Sequence, residues 1–276
     1  MFIFWKTKNF KYIYKIKLKI RFFKSFKFHI FQIIRLRIKI NLILCFIKNY
    51  FKEFKNEDKF IQDTYHGFNL DSHDWFTMKI PVLKYYLDKC IFSPKINALE
   101  IGSYEGRSAI FFMKYFNKIN LICVDTWLGT DEQMDIKIDF KKIENNFDYN
   151  IKRYKNNITK YKDTSDNFFK LNINKNFDFV YIDGYHKYET ALRDAQSAFK
   201  LLNKGGFILF DDFNWFYYKN IELNPIYAMN SFIKNHEKNI EIIFASYQLL
   251  IKKKLLCSSQ IGKGVSYLFF KKMNTF

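Results

Sequence analysis

Four short apolar runs, each ending on an acid or a glycine turn, constrain the fold of this 276-residue chain more than any other feature. They are NALEI (Asn97–Ile101, then Gly102), INLICVDTW (Ile119–Trp127, holding Asp125), DFVYIDG (Asp178–Gly184) and FILFDDF (Phe207–Phe213). Runs of this length with few polar interruptions read as strands buried on both faces, the pattern of parallel sheets. Helical signals separate them. Pro81 is placed to open a helix, and Val82, Leu83, Tyr86 and Leu87 follow at helical spacing. Gly106–Phe116 has helix length and propensity. Phe140, Ile143, Phe147, Ile151 and Tyr154 form one helical stripe. Ala191, Leu192, Ala195, Ala198, Phe199 and Leu202 form another, ended by Gly205-Gly206. Strands spaced by helices predict an α/β chain, a mostly parallel sheet covered on both faces. Ile240–Leu249 and Val265–Lys272 read as two closing strands, joined across Ile251–Gly264 as an antiparallel hairpin at one edge.

Charge splits the chain in two. Residues 1–50 carry 13 Lys or Arg and no acid, whereas residues 51–276 carry 33 against 27 acids. The net charge of +19 therefore belongs mostly to a basic, aromatic-rich extension, residues 1–55, ahead of one domain, residues 56–276. Within the extension YKIKLKIRF and RLRIKIN alternate cations with aliphatics, a strand period, yet an edge this basic has nothing to pair with. Three readings stay open: a solvated extension, a cationic segment lying on an anionic membrane surface, and, less favoured, a nucleic-acid arm. Abundant Lys, Asn, Ile, Phe and Tyr also match A/T-rich coding, so part of the basic excess needs no ligand. No run reaches the roughly 18 apolar residues of a membrane-spanning helix. Cys45, Cys90, Cys123 and Cys257 are scattered without a C-x-x-C pair, which argues against a disulfide framework or a structural zinc. The expected compartment is the cytoplasm, peripheral on the inner membrane face under the second reading.

In an open α/β sheet, ligands bind outside the carboxyl ends of the strands, and the polar residues of interest fall there. LEIGSYEGRS (Leu99–Ser108) turns through Gly102 and Gly106 into a helix whose free N–H groups suit an anionic or carboxylate ligand; such a turn also serves packing alone. Asp125, at the next strand end, can accept both hydroxyls of a ribose, in nicotinamide enzymes and methyltransferases alike. Asp183, Asp211 and Asp212 end adjacent strands about 4.8 Å apart, so three carboxylates can converge on one hard cation, although acids at strand ends also cap helices. His186 follows Asp183 by three residues.

The run EIGSYEGRS, VDTW and DFVYIDGYHKYETALRDAQSAFKLLNKGGFILFDDF resembles a class I S-adenosylmethionine-dependent methyltransferase. Within that group it is most similar to the branch with IDG-x-H and DD signatures, near the macrocin-type sugar O-methyltransferases. The resemblance covers roughly Asp71–Lys272 and implies a Rossmann-like, doubly wound, seven-stranded sheet. It implies that Glu100, Gly102, Ser103 and Gly106 form the cofactor loop, that Asp125 holds the ribose, and that Asp163 and Ser165 flank the adenine of S-adenosyl-L-methionine. It further implies Mg²⁺ on Asp183, Asp211 and Asp212, with His186 as general base. The middle glycine of the usual loop is Tyr104 here. A divalent ion would lower the pKa of a bound hydroxyl, and a histidine of ordinary pKa, about 6.5, could take its proton. The acceptor implied is a hydroxyl on a sugar, glycan or glycosylated metabolite. Two rivals remain: a nicotinamide-dependent oxidoreductase, which has no use for the acid cluster, and a membrane-docked binding protein on the same fold without activity.

Overall fold

A computed structural model describes residues 57–133 and 138–255. The basic extension, residues 1–55, and the expected closing strand Val265–Lys272 lie outside the described residues. Seven strands form one sheet: β1 (Ile96–Ile101), β2 (Ile119–Asp125), β3 (Ile158–Lys162), β4 (Phe177–Ile182), β5 (Leu202–Phe210), β6 (Ile240–Ala245) and β7 (Leu249–Lys253). Their order is β3-β2-β1-β4-β5-β7-β6. The first five run parallel, while β7 is antiparallel to both β5 and β6. The helices are α1 (Asp58–Tyr65), α2 (Ile80–Leu87), α3 (Arg107–Tyr115), α4 (Phe140–Ile151), α5 (Ser165–Leu171), α6 (Tyr188–Leu201) and α7 (Pro225–His236). No described helix is long and apolar enough to cross a membrane.

Period-two alternation on the strands divides the core into two faces. Leu99, Ile101, Val180, Ile182, Ile208 and Phe210 point to one, where α6 and α7 pack. The alanines of α6, Ala191, Ala195 and Ala198, keep that helix close to the sheet. Ala98, Phe179, Tyr181, Phe207 and Leu209 point to the other, against Leu83 and Leu87 of α2 and Phe111 and Phe112 of α3. This second face is aromatic: Phe112 lies 5.0 Å from Phe179 and 5.2 Å from Tyr181 between ring centroids, edge to face. Among the described residues, most phenylalanines therefore fill a core.

Two boundaries differ from the sequence reading. Ile240–Leu249 is not one strand: Ser246–Gln248 turns the chain, the Ser246 N–H donating to the Gln248 carbonyl at 2.8 Å. The edge hairpin is thus β6–β7, and it uses Ile251–Lys253, expected as connection. The second helical stripe stops at Leu201, and Leu202 already pairs with Phe177 in β5. Asn224-Pro225 opens α7, with proline at its first turn.

The segment before α2 is strapped across the sheet tips. Asn150 of α4 donates to the carbonyls of Asn69 and Glu105, and Asp71 takes Asn146 and Lys142. Arg107 of α3 holds the Leu70 carbonyl and Asp74. These contacts bring Trp75, Met78 and Lys79 over the carboxyl ends of the strands.

Candidate active site

A cleft of about 670 Å³ opens at the carboxyl ends of β1, β2, β4 and β5. It lies where the strand order reverses between β1 and β4, the ligand-binding position of doubly wound sheets. Its volume is that of a small-molecule site. Of the residues expected there, Gly102, Asp125, Asp163, Ser165, Asp183, His186 and Asp212 line it.

The first loop is built on Gly102 and Asp125. Gly102 has φ +85°, and a Cβ there would sit 2.0 Å from the Asp183 carbonyl oxygen, so only glycine lets the tips of β1 and β4 approach. Asp125 holds the loop from the side. Its Oδ2 accepts the N–H groups of Ser103 and Tyr104 at 2.8 and 2.9 Å, and its Oδ1 accepts that of Trp127 at 2.7 Å. A carboxylate offers about four acceptor positions, so one remains for a ligand hydroxyl. Tyr104 stands in the left-handed region, φ +49°, where the usual loop has glycine. Its carbonyl accepts from the Trp127 indole at 2.8 Å, and its ring packs 5.3 Å from Trp75.

Three expected cofactor residues stand behind the cleft rather than in it. Glu100 follows the alternation of Ala98, so its side chain enters the second core face and is fully buried. Burial lifts its pKa to about 7, only partly offset by the surrounding Ser108, Ser103 and Cys123. Ser103 contributes its N–H to Asp125 and is itself buried, and Gly106 turns the chain into α3 with φ +89° against the Phe147 ring. At the far side, Ser165 opens α5 and donates its hydroxyl to Asp194 at 2.8 Å. Burial raises Asp194 to about 6. Asp163 accepts from the Thr164 N–H and the Asn167 amide, which hold its pKa low.

The acid cluster differs from the expected metal cradle. Asp183 and Asp212 face the cleft with His186, but Asp211 does not. It continues the alternation of Phe207 and Leu209 into the second core face, and its side chain is 1% exposed. There it accepts from Lys79, from the Tyr181 hydroxyl at 2.9 Å and from Gln248 at 2.7 Å. Asp212, at φ +46°, turns back toward the cleft. Lys79 Nζ also lies 3.8 Å from Asp212 Oδ1 and 4.9 Å from the Tyr247 ring centre. Burial opposes its charge, yet the carboxylates of Asp211, Asp212 and Asp183 raise its pKa above the ordinary lysine value. Mg²⁺ needs oxygen ligands at about 2.0–2.1 Å in near-octahedral array. What faces the cleft is a mixed set, Asp183, His186 and Asp212, with one ligand atom each within 4.8 Å of one another. With a ring nitrogen among them, Asp211 turned away and the Lys79 ammonium beside Asp212, it does not fit the all-oxygen array of Mg²⁺.

His186 is held from both sides. Its Nδ1 lies 2.8 Å from Glu132 Oε2, and its Nε2 lies 3.0 Å from Asp212 Oδ2 and 3.5 Å from Asp183 Oδ1. Desolvation works against a charged ring, but Asp212, Asp183 and Glu132 outweigh it and raise the pKa well above the usual histidine value. His186, expected as general base, thus stands between Glu132 and the cleft carboxylates, which favour its protonated form. Asp183 is shifted the other way from an ordinary carboxylate, upward, by burial and by the nearby charge of Asp211. Lys79, Glu132, Gln248 and the aromatic wall of Trp215 and Tyr217 were not singled out in sequence. Trp215 and Tyr217 are stacked at 5.3 Å, and Trp215 stands 4.9 Å from His186.

With this geometry in view, residues 99–213 match a family model described as a methyltransferase domain. The chain is 32% identical over 119 residues to an uncharacterized protein of Acanthamoeba polyphaga mimivirus, covering 42% of this chain and 50% of that one. It thus spans about half the length of the curated relative it matches. Among solved structures it is similar to MycE methyltransferase from the mycinamycin biosynthetic pathway, in complex with Mg and SAH. That likeness has 12% identity and a TM-score of 0.50, over 79% of this chain and 59% of that one. An O-methyltransferase from Bacillus cereus in complex with SAH gives 13% identity and 0.46, over 79% and 100%. The seven-stranded architecture is the Rossmann-like methyltransferase fold.

Proposed function

We propose that the chain is an S-adenosylmethionine-dependent O-methyltransferase acting on a hydroxylated small molecule or glycan. The observation that carries this reading is the single cleft that joins the Gly102–Asp125 loop end to the Asp183–His186–Asp212 cluster. At the loop end, Asp125 retains acceptor capacity and Gly102 leaves the backbone bare, which fits a nucleoside. Asp163 and Ser165 would flank its base. When bound, S-adenosylmethionine supplies a methyl group on a positively charged sulfur.

The chain's own residues then position the acceptor and take its proton. Methyl transfer needs the acceptor oxygen, the methyl carbon and the sulfur in line, so positioning supplies much of the acceleration. Trp215 and Tyr217 offer flat apolar faces beside His186, suited to a sugar ring or an aromatic acceptor. Asp183, in its ionised form and made more basic by burial, takes the hydroxyl proton as the new C–O bond forms and the C–S bond breaks. His186, bonded to Glu132 through Nδ1 and to Asp212 through Nε2, holds Asp183 and Asp212 in place. The test is an acceptor screen of hydroxylated sugars and phenols with labelled methyl donor. Asp183→Asn should slow transfer by about 10²–10⁴-fold while cofactor affinity stays near wild type. Full activity of that variant would remove Asp183 from the chemistry.

A further inference from the structure

We propose that Lys79 is the resident cation of the carboxylate cluster at the tips of β4 and β5, so that this chain positions its acceptor without a divalent ion. The role in catalysis rests on the methyltransferase reading, but the metal question does not. Lys79 ends the 3₁₀ turn Thr77–Lys79, which Asp74 pins by accepting the N–H groups of Phe76 and Thr77. Its side chain, 7% exposed, reaches across to Asp211 and Asp212, which lie more than 130 residues later in the chain. An ammonium is strongly hydrated, and removing it from water is costly unless carboxylates and hydrogen bonds replace the water. Asp211, Asp212 and the face of Tyr247 do so. The Tyr181 hydroxyl lies 2.9 Å from both Asp183 and Asp211, tying the third acid to the same centre.

This arrangement does what an ion would do for these side chains. It sets one positive charge between two adjacent carboxylates, fixes the direction of Asp212, and leaves Asp212 and Asp183 presented to His186. Asp211 is turned into the core, with Lys79 and Tyr181 on its Oδ2 and Gln248 on its Oδ1, so it is not presented to the cleft. A divalent ion on the same oxygens would lie against the ammonium and be repelled by it. Lys79 is therefore a positioning residue.

Titration of Mn²⁺ into the full chain, with the unfolding midpoint recorded in parallel, decides the matter. Wild type should show no saturable uptake and the same midpoint in chelator as in millimolar Mn²⁺. Lys79→Met, similar in length but neutral, should gain Mn²⁺ affinity by about tenfold or more, since a repelling charge about 4 Å away is gone, and its midpoint should rise with the ion. Lys79→Arg, which keeps the charge, should gain none. Stoichiometric Mn²⁺ binding by wild type, with a raised midpoint, would overturn the proposal. So would a folded Lys79→Met that gains no affinity. If Lys79→Met does not fold, Lys79→Gln takes its place with the same expected gain, and saturable uptake by wild type overturns the proposal in either case. None of these readouts depends on methyl transfer, so failure here and failure of the functional reading remain distinct.

Discussion

Asp125 sets the shape of the cofactor end through three N–H groups, and its removal should be felt twice. Asp125→Ala leaves Ser103, Tyr104 and Trp127 without their acceptor and takes away the one position open to a ribose hydroxyl. S-adenosylmethionine affinity should fall by about 1.5–3 kcal/mol, the range for bonds to a charged group, as read by calorimetry; unchanged affinity would contradict the assignment. Gly102 is the second such residue. Gly102→Ala drives a Cβ into the Asp183 carbonyl at a left-handed φ, which should destabilise the chain by about 3 kcal/mol from overpacking and backbone strain together. A denaturant midpoint checks this. Both residues stood out in the sequence because they fall at neighbouring strand tips, where ligands of an open α/β sheet bind. The direction of Asp211 was legible in principle, since alternation from Phe207 and Leu209 sends it inward. Grouping acids by strand tip alone missed that. Lys79 was not legible, because nothing in a lysine-rich sequence links position 79 to Asp211.

At the scale of elements, β1 carries a buried acid whose protonation couples the strand to pH. In the folded chain Glu100 holds its proton to about pH 7, while its ordinary value is 4.5. Between those values the folded state binds more protons than the unfolded one, so stability must fall as pH rises through this window and level off above it. The full loss from this group is about 3 kcal/mol at about 1.4 kcal/mol per unit. Asp194, raised to about 6, adds the same sign. Glu100→Gln should flatten the slope; denaturant midpoints at pH 5 and pH 8 read it, and an unchanged slope would mean Glu100 is not the source. The strands β1, β2, β4 and β5 and the helices α2, α3, α4 and α6 were legible because apolar runs and helical stripes report burial directly; β3 and α5, short and largely polar in sequence, were not. The β6–β7 turn was not, since Ser246, Tyr247 and Gln248 include neither glycine nor proline, and Ser246 and Gln248 are buried. The strap of residues 66–79 was equally hidden: it is held by long-range bonds from Asn150, Asn146 and Arg107, with no local periodicity.

For the whole molecule, the basic excess and the cleft are separate matters. The 13 cations of residues 1–50 should draw the chain to anionic vesicles at about 1 kcal/mol per cation near the surface, with binding weakening as salt rises. Co-sedimentation of the full chain with anionic and neutral vesicles checks this; equal binding to neutral lipid, or none to either, would leave a solvated extension or a nucleic-acid arm. The fold itself follows from the alternation of strand and helix, and the cleft follows from the reversal of strand order between β1 and β4. What the cleft holds is the central claim. Calorimetric titration of S-adenosylmethionine into the full chain tests it most directly: one saturable site per chain is expected, with affinity lowered in Asp125→Ala. No heat with S-adenosylmethionine, together with saturable binding of NADH, would contradict the account.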